Sequence, residues 1–175
     1  PFKAWISDER IATPTRFRLS EVPKKAEAVD TFDLDPKKPV LLIFGGGTGA
    51  LALNQWVDRV KLRLLSITQV IHLTGRGKLD GRASEKGYFV TELLTHEMLD
   101  AYAAADLVIS RAGFATLSEM TSGLRKATIV VPLPGTEQEL NAQAFEEQGA
   151  VVVLHQKQKN FDTELLETAK LLIED

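Results

Sequence analysis

Apolar positions along this chain follow two alternating rhythms. Uninterrupted apolar runs at Val40 to Phe44, Leu107 to Ile109 and Thr128 to Val131 read as short strands buried on both faces. Ile67 to Leu73, Tyr88 to Thr91 and Val151 to Leu154 complete a set of six. Between the first two strands, Leu51, Leu53, Trp56, Val57, Val60 and Leu64 recur at helical spacing over Ala50 to Leu64. Met98 to Ala105, Thr116 to Thr121, Glu137 to Gln148 and Asp162 to Ile173 read as four more helices. Strands alternating with helices predict right-handed βαβ units. The expected fold is therefore α/β: a Rossmann-like parallel sheet of about six strands with helices on both faces. Residues 1–39 carry Pro14, Pro23, Pro36 and Pro39 and show no comparable rhythm. They read as an inter-domain linker and N-terminal extension, leaving one domain over residues 40–175. With Pro1 at its start, the chain reads as cut from a longer one.

Three short turns stand where such a sheet holds ligands. Gly45-Gly46-Gly47-Thr48-Gly49-Ala50 follows the first strand, Ser110-Arg111-Ala112-Gly113 follows the fourth, and Pro132-Leu133-Pro134-Gly135-Thr136 follows the fifth. Ligands of open α/β sheets bind outside the carboxyl ends of the strands, and free N–H groups at helix starts favour phosphate. Each such charge–dipole contact contributes roughly 0.3–1 kcal/mol, so a phosphorylated ligand needs several grips at once. The first turn can be written G-x-G-x-x-A, a weak dinucleotide fingerprint that a ligand-free tight turn also satisfies. A dinucleotide enzyme further wants an acid at the end of the second strand, and His72-Leu73-Thr74-Gly75-Arg76 has none. Arg76 is instead the candidate for a 2′-phosphate, which gives an NADP-dependent oxidoreductase as the alternative reading. In the second turn's helix, Thr116 and Ser118 are polar near the helix start and Glu119 follows about one turn in. A carboxylate there can accept two hydrogen bonds from a ribose diol or simply favour the helix dipole.

Composition narrows the classes. The chain has 175 residues, 44% hydrophobic and 26% charged, with a net charge of −3. That is ordinary for a globular domain and argues against nucleic acid as a partner. With no cysteine, thiol catalysis and cysteine-held zinc are excluded, and a reducing cytoplasm fits. No apolar run approaches the roughly 20 residues of a membrane span. Of three histidines, His72 at a strand end reads as structural, His155 as solvated, and His96 lies in the loop after Leu94.

The glycine turn with Leu53-Asn54-Gln55, Ser110-Arg111-Ala112-Gly113 through Ser118-Glu119, and Gln138 with Asn141-Ala142 resemble together the C-terminal, donor-binding half of the MurG-like glycosyltransferases of family 28. The resemblance covers nearly the whole chain and implies one half of a GT-B fold. It implies transfer of N-acetylglucosamine, with inversion, from UDP-N-acetylglucosamine to a lipid-linked muramoyl-pentapeptide in peptidoglycan synthesis. Arg16 would sit near the diphosphate, and Gly46, Gly47 and Thr48 would cradle phosphates. Leu94 would present backbone atoms to uracil. Phe114, Ala115, Thr116, Leu117, Ser118 and Glu119 would run along the nucleotide, with Glu119 on the ribose hydroxyls. Gln138 would bind hydroxyls of the donor sugar, with another UDP sugar as the alternative donor. No metal and no cofactor are implied. The catalytic base and the lipid-linked acceptor would belong to an N-terminal half absent from this chain, at the inner face of the membrane. A donor-binding subunit of a split enzyme is the variant reading. This chain departs from the family's pattern at Gly47, where serine is usual, and at Glu137, where a second glutamine is usual. It also departs after Gly123, where Leu124-Arg125-Lys126 replaces a proline with one residue extra.

Overall fold

The structure, a computed structural model, describes residues 19–46 and 50–174. Six strands form one sheet in the order β3-β2-β1-β4-β5-β6, every neighbouring pair parallel. The strands are β1 (Val40–Phe44), β2 (Gln69–Leu73), β3 (Tyr88–Thr91), β4 (Leu107–Ser110), β5 (Ala127–Val130) and β6 (Val152–Val153). The helices are α1 (Lys25–Ala28), α2 (Leu51–Leu65), α3 (Met98–Ala104), α4 (Phe114–Ser118), α5 (Gln138–Glu146) and α6 (Phe161–Glu174). The expected α/β sheet of six strands is what forms.

Side chains alternate across the sheet as the pleat demands. Leu41 and Ile43 of β1 point to the face covered by α2 and α6, where Trp56, Leu64 and Leu165 pack. Val40, Leu42 and Phe44 point to the other face, against Tyr102 and its neighbours on α3. A third cluster, Ala112, Leu117, Val130, Ala142 and Val151, seats α4 and α5. The chain leaves β1 towards one face through α2 and leaves β4 towards the other through α4. Adjacent strands whose connections diverge leave a crevice at their carboxyl ends.

Three differences from the sequence reading have plain causes. Ala28, Val29, Phe32 and Leu34, read as connection, are buried in the β1/α3 core, so the packed body begins ahead of Val40. Lys25 fastens this segment by pairing with Asp106 at 2.5 Å, and Asp106 also accepts from the Val40 N–H at 2.8 Å. The helix expected from Thr116 begins at Phe114, with Gly113 as its N-cap, and passes at Glu119–Gly123 into a π turn. There Leu124 N–H reaches Glu119 O at 2.7 Å, and Arg125 turns the chain out at φ 52°. A π turn holds one residue more than an α turn. Finally, β6 is two residues long, flanked by Val151 in the third core cluster and Leu154 on the opposite face.

Candidate donor site

All three turns lie at the carboxyl edge of the sheet, after the neighbouring strands β1, β4 and β5. Hydrogen bonds lock the second turn to the third. Arg111 is 8% exposed, and its Nη1 donates to Val131 O at 2.9 Å and Pro132 O at 3.2 Å, joining the second turn to the third. Burial pushes its guanidinium pKa down, yet arginine keeps its charge. Asn141 of α5 donates to Ala112 O at 3.1 Å, and Val131 N–H reaches Ser110 O at 2.9 Å. These two turns are thus held together, with a buried positive charge between them.

Glu119 is 3% exposed and stands where α4 becomes the π turn. Tyr102 of α3 donates to its Oε2 at 3.3 Å. Ser118 is also buried, and its hydroxyl has no hydrogen-bond partner among the described residues. Leu117 points into the third core cluster and is fully buried. Phe114 and Ala115 are exposed and Thr116 half-buried on the outer side of α4. Phe114 meets Phe145 of α5 edge to face at 6.1 Å. Gln138 begins α5, and its Oε1 accepts from the Leu133 N–H at 3.1 Å, which shapes the third turn. Glu137 beside it is exposed. Gly46 is exposed at φ 79°, a conformation that favours glycine. Leu94 lies half-buried in the loop between β3 and α3, with His96 exposed nearby. Arg16, Gly47 and Thr48 lie outside the described residues. Among the described residues no group of three or more His, Cys, Asp or Glu is placed to hold a metal.

A set of residues missed as site components ties the start of α2 to β2 and β3. Asn54 in the first turn of α2, His72 on β2 and Tyr88 on β3 are all buried and hydrogen-bonded in line. His72 Nε2 lies 3.0 Å from Asn54 Oδ1 and Nδ1 lies 2.8 Å from the Tyr88 hydroxyl. Asn54 Nδ2 donates to Thr74 O at 3.0 Å. Burial holds the His72 pKa down at about 4 and pushes that of Tyr88 up to about 12. The sequence signal was the pair of polar residues on otherwise apolar faces, Asn54 in a core-facing helix position and His72 inside a strand.

This geometry agrees with what the chain is similar to. The family described as "Glycosyltransferase family 28 C-terminal domain" matches residues 40–174. The chain belongs to that family. Two curated relatives share the name UDP-N-acetylglucosamine--N-acetylmuramyl-(pentapeptide) pyrophosphoryl-undecaprenol N-acetylglucosamine transferase. The one from Lachnospira eligens is 36% identical over 152 residues, 84% of this chain and 43% of the relative. The one from Lachnoclostridium phytofermentans is 41% identical over 150 residues, 83% of this chain and 42% of the relative. The family 28 domain thus spans less than half the length of these relatives. Among solved structures, MurG of Acinetobacter baumannii shares the fold with a TM-score of 0.68 at 24% identity, over 95% of this chain and 50% of that one. ALG13 shares it with a TM-score of 0.53 at 19% identity, over 77% of this chain and 86% of that one. Family 28 membership removes the oxidoreductase reading. Arg76, on which that reading leaned, is exposed in the turn after β2.

Proposed function

We propose that this chain is the donor-binding half of an inverting glycosyltransferase that moves N-acetylglucosamine from UDP-N-acetylglucosamine to an undecaprenol-linked muramoyl-pentapeptide in peptidoglycan synthesis. The observation that carries the reading is the convergence of three turns and the buried Glu119 at one sheet edge, in a chain 36% and 41% identical to transferases of that name. The donor-binding unit is residues 40–175, with residues 25–34 packed onto it.

In this reading the diphosphate lies over the glycine turn, Gly46 to Thr48, with Arg16 beside it and the buried charge of Arg111 behind. Backbone N–H groups there and at the start of α4 stabilise the charge that builds on UDP as the sugar leaves. Glu119 accepts from the ribose hydroxyls, Leu94 offers backbone atoms to uracil, and the segment Phe114 to Ser118 follows the nucleotide. Gln138 holds donor-sugar hydroxyls with the amide nitrogen that its bond to Leu133 leaves pointing away. The base that activates the acceptor hydroxyl belongs to an acceptor-binding half outside these residues. The lipid nature of the acceptor places the work at the cytoplasmic face of a membrane. No helix among the described residues is long and apolar enough to cross one.

Calorimetric titration with UDP, UDP-N-acetylglucosamine, UDP-glucose and NADPH tests the reading. Binding of uridine nucleotides with preference for the N-acetylglucosamine donor supports it. Binding of NADPH with no response to uridine nucleotides overturns it. The mass of the native protein separates a two-domain chain from a donor-binding subunit of a split enzyme.

A further inference from the structure

We propose that His72 is a positioning residue for the glycine turn, acting through Asn54 to fix the start of α2. The proposal rests on the donor-site reading above, because the glycine turn is there the phosphate grip.

Three hydrogen bonds carry it, and their directions are settled by chemistry. Thr74 O can only accept, so Asn54 presents Nδ2 to it and turns Oδ1 towards His72. Oδ1 can only accept, so His72 donates from Nε2. Nδ1 then keeps its lone pair and accepts from the Tyr88 hydroxyl. One proton arrangement of the neutral ring satisfies every group, and each residue is at most 2% exposed. The line begins on β3, crosses β2 and ends on α2. Asn54 also donates its backbone N–H to Ala50 O at 3.0 Å, the bond that opens α2 directly after the glycine turn.

A buried imidazole is a demanding way to fill this space if packing were its only task. A polar core network is stable only when every member is satisfied, and it then holds one geometry. The charged groups around it stabilise the same arrangement. Arg82 binds Asp58 of α2 through Nε at 2.9 Å and Nη2 at 2.6 Å, holding the β2–β3 connection against α2. Lys61 of α2 lies 5.2 Å from the centre of the Tyr88 ring and pairs with Glu85 at 2.6 Å. Ala50, at the end of the glycine turn, is itself buried in the core, and Asn54 is the first residue of α2 whose side chain hydrogen-bonds across to β2.

Hydrogen exchange and UDP titration on the full chain test this, with His72→Phe, His72→Gln and Tyr88→Phe. In His72→Phe, exchange of the amides over 50–57 is expected to rise about tenfold, the size of one lost buried hydrogen bond, with β4 and β5 unchanged. UDP affinity is expected to fall by a similar factor. His72→Gln keeps an N–H for Asn54 and is expected to recover most of both. If His72→Phe does not fold, Tyr88→Phe, which loses only a hydroxyl, gives a smaller rise over the same amides. Unchanged exchange over 50–57, or an equal rise across the whole sheet, overturns the proposal whether or not UDP binds. Absence of UDP binding by the unsubstituted chain overturns the donor-site reading and leaves the exchange result to decide this one.

Discussion

The Tyr102 hydroxyl and Glu119 Oε2 meet at 3.3 Å, joining α3 to the point where α4 widens into a π turn. The carboxylate is therefore met by a helix that packs on the same face of the sheet as the π turn. π turns recur at functional sites because they redirect side chains that an α turn would bury or splay. In the donor-site reading, the ribose hydroxyls bind a carboxylate that is already oriented before ligand arrives.

Glu119→Gln should weaken UDP binding by about 10- to 100-fold, since a hydrogen bond to a charged group contributes roughly 1.5–3 kcal/mol. Tyr102→Phe should weaken it only a few-fold, because the long contact orients Glu119 without touching ligand. Paired titrations and thermal melts distinguish a lost contact from a lost fold. Equal affinity in Glu119→Gln would remove Glu119 from the site.

Stability should fall with acid in a window set by His72. Its pKa is about 4 in the folded protein, against the ordinary 6.5 when unfolded, so between these values the unfolded chain binds more protons. Stability then rises with pH across the window and is lost as pH falls from about 6.5 towards 4. The full effect is about 3 kcal/mol, with about 2 kcal/mol gone by pH 5. Other groups titrate in the same range, so the measurement is the difference between the chain and His72→Gln in urea midpoints at pH 8 and pH 5. A difference independent of pH would show that His72 is not buried as a neutral ring.

Arg125 should be improvable. It sits at φ 52° as the chain leaves the π turn, a region that costs a side-chain-bearing residue roughly 1–2 kcal/mol. Arg125→Gly relieves that cost and adds unfolded-state freedom, so a net gain of about 0.5–1 kcal/mol is expected. Chemical denaturation reads it directly. A loss of stability would mean that the arginine side chain contributes more than its backbone conformation costs.

The strands and the three turns were legible because each apolar run ends in residues that cannot continue it, Gly45, Arg111 and Pro132 among them. The helix-bearing stretch before β1 was hidden by its flanking prolines, Pro23 and Pro36, although Ala28, Val29 and Phe32 carry helical spacing. The π turn left no local signal, since its cause is where Leu124 and Lys126 find carbonyl partners. Within the α4 segment, sequence could not show that Leu117 faces the core while Ala115 faces out. The Asn54, His72 and Tyr88 line left only a local hint, two polar residues on apolar faces, because its bonds join three separate segments.

The glycines of the first two turns should behave oppositely, and the contrast separates fold from function. Gly46 needs its positive φ of 79°, and although a Cβ there would meet nothing within 4 Å, Gly46→Ala is strained by about 1 kcal/mol or more. Gly113 has an ordinary φ of −68° at the N-cap of α4, and a Cβ there would meet only Thr116 Oγ1 at 3.8 Å. Nothing in the fold therefore requires glycine at this position. Gly113→Ala should change stability by less than about 1 kcal/mol, because a less flexible unfolded chain offsets the preference for glycine over alanine at an N-cap. The donor-site reading gives it a different purpose, leaving room for nucleotide to approach the backbone at the start of α4. Gly113→Ala should then lower UDP affinity about tenfold or more with a melting temperature little changed. Wild-type affinity in Gly113→Ala would mean that ligand does not come close to this backbone, and would move the nucleotide away from the second turn.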